Sequence, residues 1–334
     1  MNKINRLRIN VAVCAVIVAA SPQARADVIK IDGSSTVYPV TEAVAEDFQK
    51  SVRGKYRVTV GISGTGGGFK KFCRGEIDVS GASRPIKQSE MEICAKAGIK
   101  YLELPVAYDA ITVVINPAND WLNAGISVAE LKKIWEPAAQ TKITKWIQVN
   151  PAWPDLPLKL YGPGADSGTF EYFTEATVGK ARSSRGDYTA SEDDNVLVQG
   201  VSQDRGGLGY FGYAYYAENR KRLKAVPVLW KAGGKAVGPS METVMDGSYQ
   251  PLSRPIFIYV KTASLDKSEV KQFIEYYMKH APTLVTEVKY VPLPARAYAH
   301  NLEVIAKRVV GTRFGGSNKV GLTIDALMKM EAKL

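Results

Sequence analysis

Apolar and polar positions fall into short repeating blocks: a run of apolar residues, a turn rich in Gly, Ser and Thr, then apolar residues at helical spacing. Val28 to Asp32 reads as a strand delivering Gly33-Ser34-Ser35-Thr36. Pro39 stands where a first helical turn tolerates it, and Val40, Val44 and Phe48 mark one helix face. Tyr56 to Ile62 alternates as a second strand and ends in Ser63-Gly64-Thr65-Gly66-Gly67-Gly68, after which Phe69, Phe72 and Cys73 indicate a helix. Ile77 to Ala82 is a third strand ending in Ser83-Arg84-Pro85, and Ser89 to Ala97 is a helix closed by Gly98. Such units in succession imply a parallel, doubly wound α/β sheet, whose ligands sit at the carboxyl ends of the strands. All three polar loops fall at those ends.

Tyr101 to Val106 is followed by a longer extended run, Ala110 to Ile115, which looks like a strand passing into a second domain. Ser127-Val128-Ala129-Glu130 is a capping box that opens a helix through Leu131, Ile134 and Trp135. Residues 137–157 read as a loop-rich wrap. Leu158 to Tyr161 is a strand, and Gly162-Pro163-Gly164-Ala165-Asp166-Ser167-Gly168-Thr169-Phe170 is the turn into a helix with Phe170, Phe173 and Ala176 on one face. A helix around Asp194 to Gln203, a strand entered at Gly206 to Tyr210 and an aromatic helix through Tyr213, Tyr215 and Tyr216 follow. Ser253-Arg254-Pro255 leads into Ile256 to Val260, the return crossing; Lys267 to Lys279, Ala295 to Arg308 and Leu322 to Lys333 are amphipathic helices. Crossings near residues 107–116 and 250–260 divide the chain into a discontinuous lobe 1, residues 27–107 plus 255–334, and a continuous lobe 2, residues 108–254. Lobes joined by paired extended segments can close on a ligand by hinge motion.

The first 26 of the 334 residues stand apart. Lys3, Arg6 and Arg8, a largely apolar stretch from Ile9 to Ala20 and Ala24-Arg25-Ala26 make a secretory signal peptide, too short for a spanning helix. Removing Lys3, Arg6, Arg8 and Arg25, with no acid lost, lowers the formal charge from +11 to +7. The positives are scattered, with no basic block and no aromatic-basic interleaving, so nucleic acid is not the expected partner. Cys14 lies in the leader, which leaves Cys73 and Cys94; an even pair in an exported chain most simply forms one disulfide.

Much chemistry is excluded. Gly54-Lys55, Gly179-Lys180 and Gly234-Lys235 lack the Ser or Thr of a Walker A loop, and Phe69 stands where a dinucleotide fingerprint needs its third glycine. Ser167 is one place too late for a nucleophile elbow, and the only histidines, His280 and His300, lie in late helical segments. No enzyme activity, cofactor or metal is expected. What remains is a set of neutral donors. Amides of Ser35, Thr36, Gly64, Thr65, Gly168 and Thr169, with hydroxyls of Ser35, Thr36, Thr65, Ser83, Ser167 and Thr169 and the neighbouring Ser34, can surround a tetrahedral oxyanion at helix N-termini. Arg84 offers a bidentate contact. A fixed buried carboxylate would favour hydrogen phosphate over sulfate, which carries no proton at neutral pH; Asp109 and Asp166 are the two candidates, and either can instead be a local cap or the partner of Arg84.

Four motifs in order, Asp32-Gly33-Ser34-Ser35-Thr36-Val37-Tyr38-Pro39, Gly61-Ile62-Ser63-Gly64-Thr65-Gly66-Gly67-Gly68-Phe69, Gly81-Ala82-Ser83-Arg84-Pro85 and Ala165-Asp166-Ser167-Gly168-Thr169, resemble the phosphate-binding protein of the ABC-type high-affinity phosphate uptake system. The resemblance implies a two-lobed (type II) periplasmic binding protein, a monomer by default, that hands inorganic phosphate to an ABC-type permease in the inner membrane. It implies ligand contacts at Ser35 and Thr36, Thr65, Ser83-Arg84 and Ser167-Gly168-Thr169. The chain departs from the family in having Pro163 where well-known members have arginine, and Arg84 where they have aspartate. Alternatives are the same fold holding phosphonate or sulfate, or a secreted phosphomonoesterase.

Overall fold

The computed structural model describes residues 27–330; the expected leader lies outside them. In chain order the elements are β1 (Asp27–Gly33), α1 (Tyr38–Ser51), β2 (Tyr56–Val60), α2 (Gly64–Cys73), β3 (Val79–Ala82), α3 (Gln88–Lys96) and β4 (Tyr101–Ile115). Then come β5 (Ile126–Ser127), α4 (Val128–Trp135), β6 (Lys159–Pro163), α5 (Gly168–Val178), β7 (Thr189–Ser191), α6 (Asp194–Gln203), β8 (Gly207–Gly212) and α7 (Tyr213–Glu218). The short β9 (Lys224–Ala225), β10 (Val228–Leu229) and α8 (Met241–Met245) precede β11 (Ser253–Lys261), α9 (Ser268–Glu287), α10 (Ala295–Lys307) and α11 (Ile324–Met328).

The main sheet runs β2-β1-β3-β11-β4-β8-β6-β7, with β9 also on β4. β1, β2 and β3 are parallel, as are β6, β7 and β8. The two long strands between these groups, β4 and β11, pair with each other and with both flanks in antiparallel fashion. The doubly wound α/β expectation is therefore met by two parallel halves, and the sheet as a whole is mixed. Both expected crossings are these central strands. Helices cover the sheet, which is why β4 is buried along all 15 residues and β3 along all 4.

β4 is one strand where the hydrophobic pattern shows two runs. Tyr108 and Asp109 interrupt the apolar sequence, and a carboxylate is not expected in a buried strand. Arg254 stands opposite Asp109 in the β11–β4 register and neutralises it, so the strand continues. α9 extends to Glu287, beyond the expected end, because Ala281 and Val285 keep its apolar face buried past Pro282. The last helix is shorter than expected among the described residues, ending at Met328.

Local signals act as read elsewhere. Ser127 Oγ accepts from the Glu130 amide and the Glu130 carboxylate accepts from Ser127 N–H. Val40, Val44 and Phe48 are the buried face of α1. Cys73 and Cys94 form a disulfide tying the end of α2 to α3 across 21 residues. Closing a loop of that length stabilises by about 3 kcal/mol in the chain-entropy view. Replacing both cysteines by alanine should therefore lower unfolding stability by about 3 kcal/mol in a urea titration, with a somewhat steeper slope because the unfolded chain is no longer cross-linked; a loss under about 1 kcal/mol would assign the α2–α3 junction to packing alone.

Candidate functional site

Three helices begin at one place. α1 follows Gly33-Ser34-Ser35-Thr36 at the end of β1, α2 starts at Gly64 after β2, and α5 starts at Gly168 after β6. Each start leaves first-turn amides without intrahelical partners and points the positive end of its dipole inward. The loops meet closely. Thr36 Oγ1 and Thr169 Oγ1 are 3.0 Å apart, and Thr65 Oγ1 and Ser83 Oγ are 3.2 Å apart. A Cβ on Gly168 would lie 2.6 Å from both Thr65 Oγ1 and Ser83 Oγ, so only glycine lets α5 approach the opposite loops. Gly64 adopts φ +73°, and a Cβ there would lie 2.5 Å from Glu192 Oε2 and 2.8 Å from the Asp166 carbonyl oxygen, so a side chain would have to displace them.

Behind the hydroxyls stands Arg254, 1% exposed. Its Nη2 donates to Thr169 Oγ1 at 2.7 Å, to Thr36 Oγ1 at 3.4 Å and to Asp109 Oδ2 at 3.0 Å, and Nη1 donates to the Gly168 carbonyl at 3.2 Å. The Tyr172 ring faces the guanidinium at 5.5 Å, and Tyr172 Oη is fixed by the Ser253 carbonyl at 2.8 Å. The Asp109 Oδ1 atom is buried without a hydrogen-bond partner. Burial pushes the Asp109 carboxyl up, against the pull of Arg254.

A second buried carboxylate borders the same loop. Asp194, at the start of α6, accepts a 3.4 Å bond from Ser35 Oγ, while its Oδ2 has no partner. Burial first, and then the negative charge of Asp109, push it up to about 7, with Arg254 and Ser35 pulling the other way. Tyr215 Oη donates to the Ser35 carbonyl at 3.1 Å and Tyr290 Oη to that of Thr36 at 2.7 Å, fixing the α1 loop from both sides.

Of the residues expected from sequence, Ser35, Thr36, Thr65, Ser83, Gly168, Thr169 and Asp109 are brought together and buried. Ser34 serves its own turn, accepting from Thr36 N–H at 3.2 Å; Gly64 opens α2; Ser167 caps α5 by accepting from the Thr169 and Phe170 amides at 3.0 and 3.3 Å. Two expected members are engaged elsewhere. The Asp166 carboxylate is more than a third exposed and pairs with Lys70 at 2.8 Å. The Arg84 guanidinium is taken up by Glu90 and Glu171, so its charge is already matched away from the hydroxyl cluster. Arg254 and Asp194 were not among the expected site residues. Their signal was present: Arg254 is a lone cation opening an apolar crossing strand, and Asp194 is the last of three successive acids, Glu192-Asp193-Asp194, at a helix start where one suffices as cap. Asp193 is that cap, accepting from Asn195 N–H at 2.9 Å, which frees Asp194 to turn inward. His280 and His300 are exposed, and no cluster of three metal-ligating side chains occurs among the described residues.

The profile of the PBP superfamily domain matches residues 18–280. A protein named SphX from Synechococcus elongatus is 53% identical over 91% of this chain and 88% of its own length. The phosphate-binding protein PstS of Staphylococcus saprophyticus is 39% identical over 81% of this chain and 82% of its own. A crystal structure from Clostridium perfringens, described as a candidate phosphate ABC transporter substrate-binding protein with bound phosphate, superposes with a TM-score of 0.65 at 25% identity, covering 80% of this chain and 100% of that one.

The raised Asp194 pKa makes a stability statement independent of any ligand. Because the folded value of about 7 lies above the ordinary 3.8, the folded state holds this proton more tightly, and stability is lost as pH rises through that window. Asp194→Asn keeps the acceptor for Ser35 and removes the charge. It should raise the stability of phosphate-free protein at pH 8 by on the order of 2–4 kcal/mol, a gain that fades below about pH 4, as read by thermal melting at both pH values. An unchanged Tm at pH 8 would mean that Asp194 is solvated and ordinary.

Proposed function

The chain belongs to the PBP superfamily and, within it, to the phosphate-binding substrate-binding proteins of ABC transporters, and from that membership we propose how it holds its ligand. It is a phosphate-binding transport component, one that binds its substrate and does not convert it, working with an ABC-type permease. Members of this family are exported; we read the chain as periplasmic and monomeric, delivering phosphate to an inner-membrane permease, with residues 1–26 as its leader and no nucleic-acid partner. The lobes are residues 27–107 plus 255–334, and residues 108–254, with the ligand between them.

The observation that carries the site assignment is the meeting of Thr36, Thr169 and Arg254 beside Asp109 in the buried centre of the chain. Hydroxyls of Ser35, Thr36, Thr65, Ser83 and Thr169 and the backbone amides left free around the starts of α1, α2 and α5 grip the phosphate oxygens. Arg254 supplies the one guanidinium, taking the part expected of Arg84. Charge-assisted bonds from fixed donors stabilise a dianion without an equal number of cations. Asp109 orients Arg254. Asp194, whose Oδ2 has no partner, is the carboxylate that shares the phosphate proton, taking the part expected of Asp109 or Asp166.

This assignment fixes the pH behaviour of selectivity. Ionised Asp194 accepts a hydrogen bond from the P–OH of hydrogen phosphate but repels sulfate; neutral Asp194 can donate one to sulfate. Sulfate binding should therefore strengthen as pH falls through about 7. Calorimetric titration at pH 8 should give phosphate a preference of at least about 100-fold, narrowing at pH 5.5. Asp194→Asn should narrow it at pH 8 and change it little at pH 5.5, where the wild-type carboxyl is already mostly neutral, and Arg254→Met should weaken phosphate by about 100-fold or more. Unchanged selectivity in the Asn variant would rule out Asp194, and strong sulfate binding at pH 8 would favour another oxyanion as substrate.

A further inference from the structure

Outside the ligand cluster, one acid on α5 is surrounded by cations. Glu171 is 2% exposed; its Oε2 meets Arg84 Nε, and its Oε1 meets Lys87 Nζ at 2.6 Å and Arg182 Nη1 at 2.9 Å. Arg84, 3% exposed, also donates to both oxygens of Glu90 at 2.7 and 2.8 Å. Sorted by lobe, Arg84, Lys87 and Glu90 lie in lobe 1, and Glu171 and Arg182 in lobe 2. The contacts on either side also cross the cleft: Gly66 N–H donates to the Asp166 carbonyl at 2.7 Å, and Asn318 Nδ2 to Glu175 at 2.9 Å.

We propose that Glu171 sets how firmly phosphate is retained without touching it, by latching lobe 2 to Arg84 and Lys87 of lobe 1 when the cleft closes. The inference rests on the phosphate-capture reading and its lobe division. A buried ion pair is usually a poor reversible contact, because parting it leaves a naked charge in a dry site. Here the two buried ions, Arg84 and Glu171, each have a second partner in their own lobe, and Lys87, partly exposed, can return to water. On opening, Arg84 keeps Glu90 and Glu171 keeps Arg182, so neither charge is orphaned. The latch is also coupled to the ligand by covalent neighbourhood. Arg84 follows Ser83 directly, and Glu171 lies two residues beyond Thr169 in the first turn of α5, so the hydroxyl grip and the ion pair form in the same movement. A residue that favours only the closed state raises affinity by the ratio of closed to open populations and acts on release more than on capture.

Glu171→Gln removes the charge and retains the shape. Phosphate affinity of the purified variant should fall about 5- to 50-fold, mostly through faster release in stopped-flow measurements, with association changed less than about 3-fold. Small-angle scattering at saturating phosphate should show a larger radius of gyration than wild type under the same conditions. Wild-type affinity, release and compactness in the variant would overturn the latch. A wild-type protein that binds no phosphate would instead overturn the functional reading, and this inference with it. If Glu171→Gln does not fold, Lys87→Met decides: Lys87 is only partly buried, and faster release by about 3-fold or more upholds the latch while an unchanged rate rejects it.

Discussion

The site depends on a buried ion pair carried by the two strands that cross between lobes. Asp109 and Arg254 are cross-strand partners in the β4–β11 register, almost wholly buried, with Nη2 to Oδ2 at 3.0 Å. Removing one partner of such a pair costs about 3–5 kcal/mol because the other charge is left unpaired in a dry core. The pair is retained at a place where well-packed apolar residues would be at least as stable. Its return is positional. A guanidinium on a central strand, braced by Asp109 and the Tyr172 ring, presents its remaining donors to loops from both lobes, reaching Thr36 on one side and Thr169 and Gly168 on the other. A cation on a mobile loop would reach the same oxygens with less fixed geometry.

Around that cation the fold supplies neutral donors. The two parallel halves of the sheet each end their strands in a turn and a helix start, and the antiparallel central strands turn these ends toward one another. Phosphate needs many hydrogen bonds and little net charge, and in the proposed site three helix starts would provide them, with hydroxyls from Thr36, Thr65, Ser83 and Thr169 as additional donors. The cost appears in the carboxylates. Asp109 and Asp194 are both destabilised by burial, and Asp194 is held up at about 7 without a cation of its own. Destabilised acids at a binding site fit a function in which proton count distinguishes one tetrahedral anion from another.

Much of this was legible in the sequence because it follows from local rules. Strand-turn-helix blocks, the Ser127 capping box, the cysteine pair and the polar loops at strand ends each depend on residues close in sequence. The charged centre did not follow, since it depends on pairing across 145 residues. Asp109 looked like a break in a strand until Arg254 stood opposite. Arg84 looked like the ligand arginine because it adjoins Ser83; the chain turns its guanidinium the other way, to Glu90 and Glu171. Asp166 lies in the right loop, but the helix cap is Ser167, and the turn that places Gly168 and Thr169 inward points the Asp166 carboxylate outward to Lys70. Neighbourhood along the chain identifies the loop; which side chains of the loop face the ligand is decided by which face the partner lobe covers.

Each loop of the proposed site also carries a contact that spans the proposed lobes: Ser35 with Asp194 and Tyr215, Ser83-Arg84 with Glu171, and Gly66 with Asp166. A carrier must hold its anion tightly and still release it at the permease, so closure cannot be secured by contacts that are ruinous to break. Arg84 and Glu171 satisfy this by having same-lobe counter-charges in reserve, Glu90 and Arg182. On the other side Asp194 has no such reserve, and its burial in the closed form is unfavourable unless a proton or a proton donor comes with it. In the proposed mechanism, closure without phosphate is thus opposed by one carboxylate, and closure with phosphate is reinforced by ions that never meet it. In that mechanism the division lets one interface be selective about what it closes on and still part without leaving a buried charge unpaired.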